Sequence, residues 1–178
     1  MAKKKEKLPQ FISIFIAVAA VILFILMILL LRFQPIVISN FTIPELSTEG
    51  YIQVEPTVEV LEDKGVVNLT GGCYQITAYT ETTQAQSIAD GLAKIIRTRP
   101  NTHDLMKTVF DNLGIQVLMV KIVDMRNNTY IGRLILKQGN NILSIDSRPS
   151  DGIALAVRTN SPIYMKEDLM KMYGKNIC

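Results

Sequence analysis

The strongest pattern in the chain is a run of apolar residues near its N-terminus. Residues 11–31 carry no charge, and Ser13 is their only polar side chain. At 1.5 Å per residue, an α-helix of this length spans about 30 Å, the thickness of the hydrocarbon core of a bilayer. The run is longer than the apolar core of a signal peptide. It therefore predicts a retained transmembrane helix over residues 11–32.

Charged residues flank this run unevenly. Four lysines lie before it in the basic tail 1–10, whereas only Arg32 lies close behind it. Because positive charge is retained on the cytoplasmic side, the pattern predicts a single-pass membrane protein. Its N-terminus would lie in the cytoplasm, and the remainder of the chain would lie on the extracytoplasmic side.

Beyond the anchor, the pattern changes to that of a folded domain. Residues 33–50 combine prolines with Ser, Asn and Gly and predict a stalk. Apolar and polar residues then alternate over 52–60, which is typical of a half-buried strand. Further strands are predicted over 66–69, 73–79, 115–125, 129–137 and 142–146, with a short one over 163–165. Helices are predicted from Thr82 or Thr83, from Thr102, after Pro149 and over 166–173.

This mixed order of strands and helices, with several hairpins, predicts an α+β domain over residues 51–178. We expect a mixed, largely antiparallel sheet with packed helices. In the helix that begins at Thr102, apolar residues recur with helical spacing and predict a stripe that faces the core. That stripe comprises Leu105, Met106, Val109, Phe110 and Leu113.

Charge and cysteine content leave alternatives open. Between residues 33 and 178 the charges nearly cancel, but they are unevenly distributed: residues 33–93 are acidic and residues 94–178 are basic. A basic half either binds a polyanion or faces the acidic half within the fold. Cys73 and Cys178 form no metal-binding pattern. They are either oxidised to a disulfide, within one chain or between chains, which an exterior location would permit, or they are two free thiols.

A cluster of polar residues separates a predicted strand from a predicted helix near residue 148. The strand ends at Asp146, Arg148 and Pro149 turn the chain, and Ser150 and Asp151 open the helix. Proline, serine and aspartate all favour the first turn of a helix. These residues either only start the helix and form a surface ion pair, or they carry chemistry.

A second helix start has the same composition. Arg99 and Pro100 precede Thr102, His103 and Asp104, and this stretch contains the only histidine. At a helix N-terminus the dipole disfavours the imidazolium, so the histidine is expected to be neutral and able to accept a proton or bind a metal. If the two helix starts meet, their carboxylates could hold a divalent cation and their arginines could bind phosphate.

The two motifs together resemble those of the bifunctional nuclease domain family. The resemblance extends over roughly residues 54–170 and excludes the anchor and the stalk. It implies an α+β domain and, for some members, metal-dependent activity on DNA and RNA. One departure concerns the first helix start, where Gln84 replaces the glutamate that is usual in the family; Gly152 also replaces a usual alanine. The family positions fall on Arg99, Thr102, His103, Asp104, Asp146, Arg148, Pro149, Ser150 and Asp151.

Two functions follow from this interpretation. In the first, Asp104, Asp146 and Asp151 bind Mg²⁺ or Mn²⁺ and, together with His103, catalyse hydrolysis of DNA or RNA. Arg99, Arg148 and Ser150 would then bind the phosphate of the substrate. In the second, the domain is a non-catalytic interaction or self-association module, and the protein is a homo-oligomer. The arrangement of the three carboxylates distinguishes these two hypotheses, because a metal site requires all three in one open cleft.

Overall fold

The structure, a computed structural model, describes residues 7–32 and 43–178, with side chains over 12–28 and 43–178. The chain divides into two units, Met1–Phe41 and Thr42–Cys178. Most of the predicted stalk and the first six residues of the basic tail lie outside the described residues. The stalk residues that are described include a short 3-10 helix over Pro44–Leu46.

The first unit contains helix α1, Lys7–Arg32. Apart from Ser13, its described side chains are apolar, and they are mostly exposed, including Phe15 at 75% and Leu23 at 66%. Among the residues that the structure describes, no helix qualifies as both long enough and apolar enough to cross a membrane. The transmembrane helix predicted over 11–32 is therefore not supported.

The second unit contains strands and helices in mixed order, as predicted. The strands of its described part are β1 Tyr51–Gln53, β2 Glu55–Val60, β3 Gly65–Gly71, β4 Tyr74–Thr80, β5 Ile115–Arg126, β6 Thr129–Gln138, β7 Asn141–Ser147, β8 Ile163–Lys166 and β9 Lys175–Asn176. The helices are α2 Thr82–Leu92, α3 Thr102–Leu113, α4 Pro149–Thr159 and α5 Glu167–Tyr173. This confirms the α+β class of the domain.

The strands form two sheets. One has the strand order β1-β8-β5-β6-β7 and the other the order β2-β3-β4-β9. All strand pairs are antiparallel except β5 with β8, which confirms a mixed, largely antiparallel arrangement. The single strand predicted over 52–60 is divided between the sheets at Val54, whose side chain is 1% exposed and whose N–H donates to Ile163 O.

The core lies between these sheets and the helices α2 and α4. Residues Gly152–Ala156 of α4 are all buried, and so are Ala85 and Ile88 of α2. Helix α2 approaches β3 so closely that a Cβ added at Gly65 would lie 2.1 Å from Ala85 Cβ. The close approach explains a glycine at the start of a strand that is otherwise apolar.

Helix α3 differs from its prediction. None of its residues is buried, and Leu105, Val109 and Leu113 are 60%, 43% and 57% exposed. Only Phe110 packs against the core as a partly buried residue. The N-terminus of α3 is held against α4 by an ion pair that involves Asp104, and this orientation turns the predicted inward stripe away from the core.

The C-terminus is attached to the second sheet by a disulfide. Cys73 and Cys178 are bonded, with their Cα atoms 5.2 Å apart. Strand β9 pairs with the beginning of β4, and Ile177 N–H donates to Cys73 O at 2.9 Å. Of the two alternatives left by the sequence, the structure therefore contains the bridge within one chain.

Candidate functional site

The two motif-bearing helix starts lie next to each other. Asn101 caps α3 by accepting hydrogen bonds from the backbone N–H groups of His103 and Asp104, and Asp104 Oδ2 accepts from Asn101 N–H in return. This reciprocal capping box fixes the direction of the first turn. It places His103 beside α4, with Nε2 at 3.4 Å from Asp151 Oδ1.

A chain of polar contacts leads from the cap of α3 to this carboxylate. Asn101 Nδ2 donates to Ser87 Oγ at 3.2 Å, and Ser87 Oγ lies 2.9 Å from His103 Nδ1. Because Ser87 Oγ accepts from Asn101, its own hydrogen is available to His103 Nδ1. This arrangement assigns the imidazole hydrogen to Nε2, which faces Asp151. The polar chain thus joins Ser87 on α2 and His103 on α3 to Asp151 on α4.

Burial keeps His103 neutral near pH 7. Its side chain is 12% exposed. Burial lowers the pKa of His103, and the guanidinium of Arg158 lowers it further, whereas the carboxylates of Asp151 and Asp104 act in the opposite direction. Because the net shift of the pKa is downward, the neutral imidazole that the hydrogen bonds require is favoured over the imidazolium.

Asp104 belongs to a buried ion pair. Arg158 Nε donates to Asp104 Oδ1 at 2.7 Å, and the two side chains are 5% and 11% exposed. Burial by itself raises the pKa of Asp104, but the hydrogen bonds from Arg158 and from Asn101 N–H outweigh it and hold the pKa below its usual value. Arg158 Nη1 also donates to Ser87 O and Ala154 O.

Arg148 and Asp151 form the exposed side of the site. Arg148 Nε donates to Asp151 Oδ2 at 3.0 Å, and the side chains are 57% and 33% exposed. The side-chain amide nitrogen of Gln84 donates to Glu81, and Gln84 Oε1 accepts from Arg148 Nη2 at 2.6 Å. Gln84 therefore holds the guanidinium of Arg148. Ser150 lies in the same first turn of α4 and is half-buried.

Asp146 and Arg99 lie apart from this group. Asp146 is opposite Arg133 on β6, which is opposite Lys121 on β5. The preceding residue of β5, Val120, faces α4 at Gly152. Since successive residues of a strand point to opposite faces, Asp146 points to the face of the sheet away from α4. Arg99 is exposed in the loop before α3.

Comparison with known proteins identifies the family. The family model of the bifunctional nuclease domain matches residues 72–177, more than half of the chain. The chain belongs to the bifunctional nuclease domain family. The match contains both helix starts and the whole polar chain between Ser87 and Asp151.

Curated relatives are similar over a shorter stretch. An uncharacterized protein of Mycobacterium tuberculosis (strain H37Rv) is 36% identical over 76 residues, 43% of this chain and 44% of that protein. Bifunctional nuclease 1 of Arabidopsis thaliana is 30% identical over 82 residues, 44% of this chain and 25% of that protein. Bifunctional nuclease 1 of Oryza sativa subsp. japonica is 37% identical over 82 residues, which are again 44% of this chain and 25% of that protein. The chain thus spans less than half the length of these relatives.

The three carboxylates predicted to bind a metal do not fit a common site in this member of the family. Asp104 is occupied by Arg158, Asp151 is occupied by Arg148, and Asp146 is on the other face of the sheet. Within residues 43–178 and the described part of α1, no group of three or more His, Cys, Asp or Glu side chains is arranged to hold a metal ion. The metal-binding prediction is therefore not supported.

Sequence reasoning missed three residues of this site. Asn101 could have been found, because an asparagine three residues before an aspartate at a helix start is a capping-box pattern. Arg158 lies seven residues after Asp151, on the same face of α4, but its partner is on another helix. Ser87 carried no signal, since a serine within a helix is usually solvent-exposed or bonded to its own backbone.

Proposed function

We propose that this domain of the bifunctional nuclease family binds and cleaves a nucleic-acid phosphodiester at the start of α4. The supporting observation is the exposed Arg148–Asp151 pair, held by Gln84 on one side and by His103 on the other. The similarity to bifunctional nuclease 1 of Arabidopsis thaliana and of Oryza sativa supports a nuclease-like activity. That similarity covers 44% of this chain and 25% of each relative.

Arg148 and the first turn of α4 form the phosphate-binding part. The Arg148 guanidinium is more than half exposed, and its planar fork matches two phosphate oxygens. The backbone N–H groups at a helix N-terminus also favour an anion. Ser150, in the same turn, can donate its hydroxyl hydrogen to a phosphate oxygen.

Asp151 is the catalytic residue in this proposal. When a phosphate takes the guanidinium of Arg148, Asp151 Oδ2 is released and can accept a proton from an attacking water or 2′-hydroxyl. The oxygen of that water or 2′-hydroxyl forms the new P–O bond while the bond to the leaving oxygen breaks, and the leaving oxygen takes up a proton from the solvent. His103 is a positioning residue, because Nε2–H orients Asp151 Oδ1 and Ser87 fixes the other ring nitrogen.

The resemblance to the family implies a requirement for Mg²⁺ or Mn²⁺. The carboxylates do not form one ligand set, so none of the steps above uses a cation. The cation requirement is nevertheless testable, and the assay includes buffers with EDTA, Mg²⁺ and Mn²⁺.

The test measures cleavage of labelled single-stranded DNA and RNA by the full-length protein in detergent. We expect Asp151→Asn to lower the rate about 100-fold or more and Arg148→Gln to weaken binding about tenfold. Arg126→Gln is the matched control, because Arg126 also pairs with a nearby aspartate and is 75% exposed. Absence of cleavage by the wild type in every buffer, or equal loss in the control, would refute the proposal.

The alternative, a non-catalytic interaction module, is favoured by one observation. The motif residue Asp104 uses both of its carboxylate oxygens within the fold, on Arg158 and on the Asn101 backbone. A module of this kind would lose stability when Asp104 is changed and would show no cleavage in the assay above. Under the nuclease proposal, Asp151 variants lose activity while their melting temperature stays near that of the wild type.

We also propose that the first unit attaches the protein to a membrane, with the N-terminus in the cytoplasm and the domain outside. Exposed apolar side chains along residues 12–28 and four preceding lysines support attachment. A disulfide is typical of an extracytoplasmic domain, and Cys73 and Cys178 form one. Protease added to intact cells should remove the domain and spare an N-terminal tag. Complete protection of the domain would contradict this location.

A further inference from the structure

Strand β7 is one of the two edge strands of the five-stranded sheet within the described residues. Leu143 and Ile145 on this strand are 42% and 44% exposed. Asp146 is the only charged residue of the strand, and there is no proline. Edge strands of monomeric proteins are usually protected by charges, prolines or bulges, because their free N–H and C=O groups pair readily with another strand. β7 lacks these protections over most of its length.

Helix α3 adds apolar surface next to this edge. Leu105, Val109 and Leu113 recur every four residues and form an exposed stripe. Gln138 Nε2 donates to Leu113 O at 3.3 Å, and Gln138 is paired with Asn141, the first residue of β7. The end of the stripe therefore lies beside the start of β7. Exposed apolar patches of this kind are typical of protein–protein contacts.

We propose that β7 pairs with β7 of a second copy of this chain, antiparallel and around a two-fold axis at Ser144. Ser144 is the midpoint of Asn141–Ser147, so this register pairs the whole strand. It places Leu143 opposite the partner's Ile145, and Ile145 opposite the partner's Leu143. A two-fold interface requires such a self-complementary surface.

The same register brings no like charges together on the other face of the strand, which carries Ile142, Ser144 and Asp146. Asp146 lies opposite the partner's Ile142, so no two like charges face each other. Shifting the register by two residues in either direction would place Ile145 or Leu143 opposite a polar end residue of the partner strand. Because Leu143 and Ile145 share rows with the buried Leu136 and Leu134, the pairing extends an existing apolar face across the axis.

Both copies would then place their helices on one face of a continuous sheet. Ile145 lies in a row that continues through Leu134 to Val120, the residue that faces α4. Leu143 is two residues earlier on the strand and therefore lies on the same face. A two-fold axis perpendicular to the sheet keeps that face common to both copies. Ser147 lies opposite the partner's Asn141, so the β6–β7 hairpin of each copy lies next to the start of α4 in the other.

Disulfide trapping of the full-length protein in detergent tests this contact. Cys73 and Cys178 are already bonded to each other, so Ser144→Cys introduces a single free thiol on the axis. Directly opposite residues in antiparallel strands have Cα atoms about 4.5–5.5 Å apart, within the range of a disulfide. We expect mild oxidation to convert most of this variant into a covalent dimer.

Three matched variants make the register specific. Asp146→Cys alone should cross-link at least tenfold less, because the two thiols would lie about 13 Å apart along the strands. Combining it with Ile142→Cys should restore cross-linking. Thr57→Cys, exposed on β2 of the other sheet, should remain monomeric on oxidation even if α1 associates in detergent.

A disruptive variant completes the test. Ile145→Lys in the Ser144→Cys background should reduce cross-linking at least tenfold while the melting temperature of the domain is retained, since Ile145 is nearly half exposed. The proposal is overturned if Ser144→Cys forms no more dimer than Thr57→Cys, or if Asp146→Cys alone cross-links as well as Ser144→Cys. Either result would mean that β7 does not pair with itself in this register.

Discussion

Arg158 and Asp104 form a buried ion pair that joins α4 to α3, with Nε and Oδ1 2.7 Å apart. The guanidinium passes beside Gly91 of α2, where an added Cβ would lie 2.7 Å from Arg158 Nη1. A single arginine thus contacts all three helices that carry the site. Breaking a buried pair leaves one charge without compensation, and this costs more than the pair itself contributes.

Arg158→Met should therefore lower the free energy of unfolding by about 3–5 kcal/mol, because Asp104 remains buried without its partner. Arg126→Met removes an exposed pair with Asp124 and should change the free energy of unfolding by less than about 1 kcal/mol. Urea denaturation followed by circular dichroism compares the two. An equal effect of both substitutions would show that the Arg158 pair is not structural.

The sequence was informative where the pattern is local and misleading where two elements must meet. The apolar alternation over 52–60 was visible, but its division between two sheets depends on Val54, whose N–H bonds to Ile163 O far along the chain. The stripe on α3 has correct helical spacing, yet periodicity reveals only that one face is apolar. It does not reveal whether that face meets the core or another surface.

The same reasoning explains the outcome for the candidate site. Helices that begin at Thr102 and Pro149 were predicted and were found, so His103 and Asp151 were placed correctly as first-turn residues. The cap of α3 was assigned to Thr102, but Asn101 is the capping residue. Asp146 was grouped with Asp151 because it lies five residues earlier in the sequence. The alternation of β7 places it on the opposite face of the sheet, and that face could not be assigned before the pairing of β6 was known.

His103 should make the stability of the domain depend on pH. Burial lowers the pKa of His103 in the folded state, whereas the unfolded chain has the ordinary value of about 6.5. Below that value the unfolded state binds more protons, so the free energy of unfolding should decrease as the pH falls from about 7 through 6.5 and below. Denaturation midpoints at a series of pH values measure this slope.

The matched variant for this prediction is His103→Gln, which cannot titrate but can still donate toward Asp151. Its stability should be nearly constant between about pH 5 and 7. The lowered pKa of Asp104 contributes only at more acidic pH, since stability from a carboxylate is lost as the pH falls below its unfolded value of about 3.9. A slope that persists in the variant would assign the effect to another group.

The contact between Gly65 and Ala85 allows a double-mutant test of packing. Gly65→Ala should destabilise the domain by about 1–3 kcal/mol, because the new Cβ would lie 2.1 Å from Ala85 Cβ. In a strand without a neighbouring Cβ at this distance, replacing glycine by alanine would raise the free energy of unfolding. Ala85→Gly should recover part of the loss when combined with Gly65→Ala, and additive effects of the two substitutions would contradict the contact.

The Cys73–Cys178 disulfide should stabilise the domain without determining its fold. It closes a loop with a sequence separation of 105, and the bridge restricts the unfolded chain over nearly the whole domain. For a loop of this size the chain-entropy contribution is about 4–5 kcal/mol.

Cys73→Ser with Cys178→Ser should therefore lower the melting temperature markedly. The far-ultraviolet circular dichroism spectrum should be unchanged at low temperature, because only the short β9 depends on the bridge. Reduction of the wild type should give the same shift, whereas reductant should have no effect on the double variant. Equal melting temperatures for the oxidised wild type and the double variant would contradict a stabilising role.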